Sequence, residues 1–125
     1  MLQFDKSHNE ELKKYLFNSY IHDAAFEEIK YDVESREVTV HIVNSIHQRK
    51  YKIIFSDVVL FIVSVENENG KHKTINSLTI EEEAPFLPNC IKKDYISTEC
   101  MYMLFQMIYG DEVHVVFKKV IFEET

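Results

Sequence analysis

Glu28-Ile29-Lys30-Tyr31-Asp32-Val33-Glu34-Ser35-Arg36-Glu37-Val38-Thr39-Val40-His41-Ile42-Val43 decides the fold. Ile29, Tyr31 and Val33 alternate with Glu28, Lys30, Asp32 and Glu34. Val38, Val40 and Ile42 alternate with Glu37, Thr39 and His41. A period of two places one face of each run on a core and the other in water, and the short polar Glu34-Ser35-Arg36 suits a tight hairpin between them. The pattern continues outward. Tyr51, Ile53 and Phe55 alternate with Lys50, Lys52 and Ile54, and Ser56-Asp57 follows as a turn. Val58 to Val65 is almost wholly apolar and β-branched, which predicts a strand covered on both faces.

Further on, Asn69-Gly70 predicts a type I′ hairpin, because both central residues of that turn need positive φ, and its second strand starts near Lys71. Leu78 and Ile80 alternate within a weaker strand, 76–83, and 85–93, which holds both prolines, reads as a loop. Tyr109-Gly110-Asp111-Glu112 places Gly first in a two-residue turn between Glu99 to Ile108 and Val113 to Phe122. That turn would set Ile108 against Val113, Phe105 against Val116 and Leu104 against Phe117. A helix over 97–109 competes with the strand, since Met101, Leu104, Phe105 and Ile108 also recur at three- and four-residue steps; the strand is preferred.

Before position 25 the period is helical. Ser7 and Glu10 have the spacing of a capping box, and Leu12, Tyr15 and Leu16 oppose Glu11, Lys13, Lys14 and Asn18, predicting an amphipathic helix over about residues 8–19. The expected class is therefore α+β, β-dominated: one N-terminal amphipathic helix packed on a mainly antiparallel sheet of about seven strands, rolled or sandwich-like. With 125 residues, 46% hydrophobic and 28% charged, the chain suits a single domain, 1–125, with enough core to need no metal or disulfide staple. No run approaches the length of a membrane span and the N-terminus lacks a basic-then-apolar signal, so a cytoplasmic protein is expected.

Fourteen Lys and Arg against 21 Asp and Glu give a formal charge of −7. Nucleic-acid binding needs the opposite balance, because its affinity comes from cations on phosphates. Acidic excess instead favours encounter with a basic partner. Cys90 and Cys100 form no CxxC pair and read as reduced thiols without local zinc partners.

His22-Asp23 matches the dipeptide of metal-dependent phosphohydrolases, although such chemistry needs further His and Asp ligands on a helical scaffold. The plain alternative has Asp23 turning the chain between helix and sheet while His22 bonds locally. His8, His41, His47, His72 and His114 show no ligand spacing, and His41 and His114 are expected to face outward from strands. With two glycines, both assigned to turns, there is no Gly-rich phosphate loop, and no GxSxG elbow occurs. Glu81-Glu82-Glu83 offers paired carboxylates or a solvated charge run. Tyr102, among Met101, Met103, Phe105 and Met107, offers either an apolar contact patch or core packing. Glu81, Glu82, Glu83 and Tyr102 are thus the candidate interface residues, while His22 and Asp23 are the candidate metal ligands. No cofactor is implied.

Tyr20-Ile21-His22-Asp23, the Glu28 to Asp32 strand, Val38-Thr39-Val40 and Ile54-Phe55-Ser56-Asp57-Val58 together resemble small bacterial proteins of the YxiG-like and toxin-immunity type, over about residues 20–65. The resemblance implies a non-enzymatic protein that binds and neutralises a cognate toxin, and it carries over no catalytic residue. The expected function is accordingly a small cytoplasmic protein-binding module, monomeric or homodimeric, engaging another protein such as a basic toxin, without nucleic acid or membrane. The alternatives are a barrel-like protein holding a small apolar ligand and, more remotely, a metal-dependent hydrolase using His22 and Asp23.

Overall fold

The computed structural model describes residues 1–65, 74–81, 99–108 and 110–125. The expected Asn69-Gly70 hairpin with its strand from Lys71, the 85–93 loop, His72, Glu82, Glu83, Cys90 and Tyr109 of the last turn lie outside these residues.

The chain runs β1 (Leu2–Asp5), a 3-10 turn (Lys6–His8), α1 (Asn9–Asn18), β2 (Ala25–Asp32), β3 (Glu37–Asn44), β4 (Arg49–Ser56), β5 (Leu60–Ser64), β6 (Ile75–Glu81), β7 (Met101–Met107), β8 (Glu112–Phe117) and β9 (Lys119–Glu124). The expected class holds. Two antiparallel sheets, β1-β9-β4-β3-β2 and β5-β8-β7-β6, enclose the core without closing into one barrel. Among the described residues, no helix is long and apolar enough to cross a membrane.

The β2-β3 hairpin pairs Ile29 with Val40 and Tyr31 with Val38, on the face that alternation predicted. A bulge at Glu27 keeps Phe26 on that same inward side, and Phe26 is the one buried residue of β2. Tyr31 and Val33 are exposed, contrary to the expected half-buried face, because β2 is an edge strand and Val33 already belongs to the turn. The β2-β3 and β3-β4 turns are built alike. Asp32 Oδ1 accepts from the Glu34 and Ser35 amides at 2.9 and 3.2 Å, and Asn44 Oδ1 accepts from the His47 amide at 3.1 Å. Each turn ends on a non-glycine residue in the left-handed region, Arg36 and Gln48.

Four expectations need correction. The cap of the helical segment is Asp5, which accepts from the Ser7 amide at 3.0 Å; the Ser7 hydroxyl is itself bound to Asp5 Oδ1 at 2.6 Å and forms no box with Glu10. Ser7 and His8 together hold the Asp5 carboxyl below the usual range. Secondly, β5 is not covered on both faces: among the described residues it stands at the end of its sheet, paired with β8, and Val63 is 46% and Val65 70% exposed. The strands covered on both faces are β7 and β8. Met101, Met103, Phe105, Val113, Val115 and Phe117 face the core, and Cys100, Tyr102, Leu104 and Val116 form a second cluster on the opposite face with Val59 and Leu60.

Thirdly, the run 113–122 is two strands that change sheet at Lys118. With β1, which pairs Leu2 and Phe4 against Phe122 and Val120, this raises the count to nine strands among the described residues. Fourthly, the β7-β8 register pairs Phe105 with Val113 and Leu104 with His114. The turn is longer than two residues: the Met107 amide bonds Asp111 O at 2.9 Å, with Gly110 in the left-handed region. The helix alternative over 97–109 is set aside by β7.

The layers lock through rings. Phe105 sits 5.2 Å from Phe26 and 6.2 Å from Phe55, and Phe55 lies 4.8 Å from Phe117. On the other side Tyr15 of α1 lies against Phe4 and Phe122 at 5.7 and 4.9 Å, seating the helix on β1 and β9. Urea unfolding should show Phe105→Ala losing about 3–5 kcal/mol as a core cavity, whereas Val63→Ala should stay within about 0.5 kcal/mol if β5 is the edge described.

Candidate functional site

The connection from α1 to β2 is fixed at every residue. The Ser19 hydroxyl donates to Leu16 O at 2.9 Å, ending the helix, and the Tyr51 hydroxyl accepts from the Tyr20 amide at 2.9 Å. The Asn44 amide, 2% exposed, donates to Tyr20 O at 2.9 Å. Asp23 takes positive φ and its amide donates to Ile75 O at 3.0 Å, while the Ile75 amide donates to Ala24 O at 2.7 Å, so this segment ties the first sheet to the second. Between it, the end of α1, the β3-β4 turn and β6 lies an open cleft of about 730 Å³, with Leu16, Phe17, Tyr20, Ile46, Leu78 and Ile80 as its apolar surface.

His22 and Asp23 stand on the wall of this cleft. His22 Nδ1 lies 3.1 Å from Asp23 Oδ2, and the two side chains are 61% and 60% exposed. A nucleophile or a metal would need a third convergent group. The Ser19 hydroxyl is engaged with the backbone, and His47 instead stacks on Tyr20 at 4.4 Å, with the Arg49 guanidinium 5.3 Å from the same ring. Among the described residues there is no group of three or more His, Cys, Asp or Glu able to hold a metal ion. Asp23 turns the chain, as the plain alternative had it.

The outer face of the second sheet differs from expectation. His114 is 3% exposed and not outward in solvent: Tyr102 hydrogen-bonds its Nδ1, and Glu112 Oε1 lies 3.5 Å from its Nε2. Tyr102, expected at a contact surface, is 2% exposed, and its hydroxyl is committed to His114. Its burial, with Glu81 and Glu112 nearby, pushes the phenol up to about 12. Glu81 is half-buried and accepts from the Thr79 hydroxyl at 2.8 Å. His41 does face outward, between Glu28 and Lys52 on the first sheet.

A second cleft, about 270 Å³, opens where the edges β2 and β5 approach each other. Phe26, Ile29, Val63, Met107 and Val113 make its apolar surface, and its charged side chains are Glu27, Glu28 and Asp111. Glu28 is paired with Lys30 at 3.4 Å on its outer side. Beside it runs β5, Leu60-Phe61-Ile62-Val63-Ser64, which carries no charged residue and has β8 as its one neighbour among the described residues. Sequence reasoning missed this site because it placed the apolar run 58–65 inside a sheet. The signal it lacked was where the partner strands end.

No family model matches the chain, and no curated protein matches it. Among solved structures it is similar to an uncharacterized protein from Neisseria gonorrhoeae, at 14% identity and TM-score 0.54, over 82% of this chain and 91% of that one. The likeness is one of fold.

The Tyr102 phenol holds its proton in the folded chain at pH values where an unfolded tyrosine, near 10, has lost it. Stability from this group is therefore complete below about pH 10 and is lost as pH rises to about 12. Denaturation at pH 8, 10 and 11 should show this loss, and Tyr102→Phe, although about 1–3 kcal/mol less stable at pH 8 through its unpaired imidazole, should decline less steeply.

Proposed function

We propose that this chain is a non-enzymatic protein-binding module whose partner presents a basic, partly apolar segment to the cleft between β2 and β5. The observation that carries the reading is the pairing of an apolar cleft with Glu27, Glu28 and Asp111 beside an uncharged sheet edge. Desolvated apolar contact supplies affinity there, and the carboxylates select cations and speed encounter, in keeping with the chain's −7 charge. The resemblance of residues 20–65 to immunity proteins supports a basic toxin as the partner class and the cytoplasm as the setting.

A second reading attaches to the larger cleft. Its volume of about 730 Å³ lies within the roughly 300–1,000 Å³ of small-molecule sites, and Leu16, Leu78 and Ile80 would contact an apolar ligand. On that reading an anilinonaphthalene sulfonate probe gains fluorescence that Leu78→Glu removes, with Val63→Glu as the control at the other cleft.

For the leading reading, eight-residue peptides alternating valine with lysine, serine or glutamate should separate in a calorimetric titration. The lysine peptide alone should bind, about tenfold more weakly at 0.5 M than at 0.05 M salt, and ten- to a hundredfold more weakly to a Glu27→Lys, Glu28→Lys variant. Equal binding of the serine peptide, or indifference to the charge reversal, would refute it.

A further inference from the structure

Resting on the second reading, that of the larger cleft, we infer that its ligand is an amphipathic anion, with an apolar tail along Leu16, Leu78 and Ile80 and an anionic head held by His47 and Arg49. Residues 12–22 and 38–56 contain no Asp or Glu, in a chain that has 21. The fold brings the two stretches together at one cleft, the first as the end of α1 and the segment behind it, the second as the β3-β4 turn. Both bring apolar surface into solvent there, since Phe17 is 89% and Ile46 79% exposed. Exposed apolar side chains around a hollow of this size mark a ligand site.

The head site is a corner built on Tyr20. The Tyr20 amide is held by the Tyr51 hydroxyl and its carbonyl by the Asn44 amide, each at 2.9 Å, which makes its ring a fixed platform. The His47 imidazole stacks on that ring at 4.4 Å, and the Arg49 guanidinium stands 5.3 Å from its centre. Both side chains are exposed. Stacking uses none of the five N–H donors of a guanidinium, whose planar fork matches a carboxylate. Glu124 Oε2 lies 3.9 Å from Arg49, beyond hydrogen-bond distance, and the other oxygen of Glu124 accepts from the Tyr15 hydroxyl at 2.6 Å. Asp23, the carboxylate on the cleft wall, is 3.1 Å from His22 Nδ1. The Tyr20 ring also limits the rotamers of His47 and Arg49 before a ligand arrives, which lowers the ordering cost of binding. An anion on an apolar tail uses both parts of this surface, and a cationic head would be repelled by Arg49.

Calorimetric titration of the full chain with decanoate, decanol and decyltrimethylammonium, each below its micellar concentration, tests this. Decanoate should bind about tenfold more tightly than decanol, and the ammonium more weakly than either. A variant carrying Arg49→Gln and His47→Gln should bind decanoate no better than decanol, with unchanged decanol affinity showing that the cleft is intact. Leu78→Glu should weaken both by about tenfold or more. Equal binding of decanoate and decanol, unmoved by the double substitution, would overturn the anionic head and leave an apolar ligand in the cleft. Binding of none of the three would remove both readings. Decanoate binding that survives Leu78→Glu would place the anion on the surface without the cleft, and binding to phosphatidylglycerol vesicles without binding of dissolved decanoate would assign these residues to a membrane surface; each result overturns the inference.

Discussion

The architecture depends on one bent ribbon. β4 pairs with β9 in the first sheet, and their continuations β5 and β8 pair in the second. Between the pairs Ser56↔Lys119 and Leu60↔Val116 the chain advances four residues on one strand and three on the other, an extra residue that bends the ladder into a corner. Asp57 absorbs it with positive φ, and the bonds from Lys118 N to Ser56 O at 3.2 Å and from Val59 N to Val116 O at 2.9 Å carry the pairing round the bend. These bonds keep the two strands paired through the bend, so both turn together although Asp57 and Lys118 themselves are exposed.

That corner also sets the place of β5 at the end of the second sheet. Inside the first sheet β4 has neighbours on both sides, β9 and β3. β3, however, begins at Glu37, opposite the end of β4, directly after the 33–36 turn. The Val58 amide finds Arg36 O at 3.0 Å, the last bond on that flank among the described residues. Past the bend only the β9 side has a continuation, in β8, so β5 emerges with one neighbour among the described residues.

Period-two alternation made β3 and β4 legible, because one face of each is buried and the other wet: Val38, Val40 and Ile42 are buried, as are Tyr51, Ile53 and Phe55. Where both faces are covered, as at Met101–Phe105, the alternation vanishes, and the sequence left strand and helix in competition. β5 shows the reverse ambiguity. Its apolar composition is that of a central strand, and only the position of Glu37 relative to Ser56, a tertiary fact, makes it an edge. β1 was invisible because four residues with one buried phenylalanine carry no period. Of the candidates named from sequence, His22 and Asp23 do share a cleft wall, Tyr102 is interior and Glu81 is half-buried; Glu27, Glu28 and Asp111, which the sequence did not single out, come together only where β2 approaches β5 and the β7-β8 turn.

The aromatic seat of α1 sets an order of assembly. Tyr15 rests on Phe122 and donates to Glu124 at 2.6 Å, and β1 has β9 as its partner, so the first structured residues of the chain wait on the last. Contacts of such sequence separation form late and slow folding. During synthesis, Tyr15 and β1 therefore gain their β9 partners only after that strand has left the ribosome.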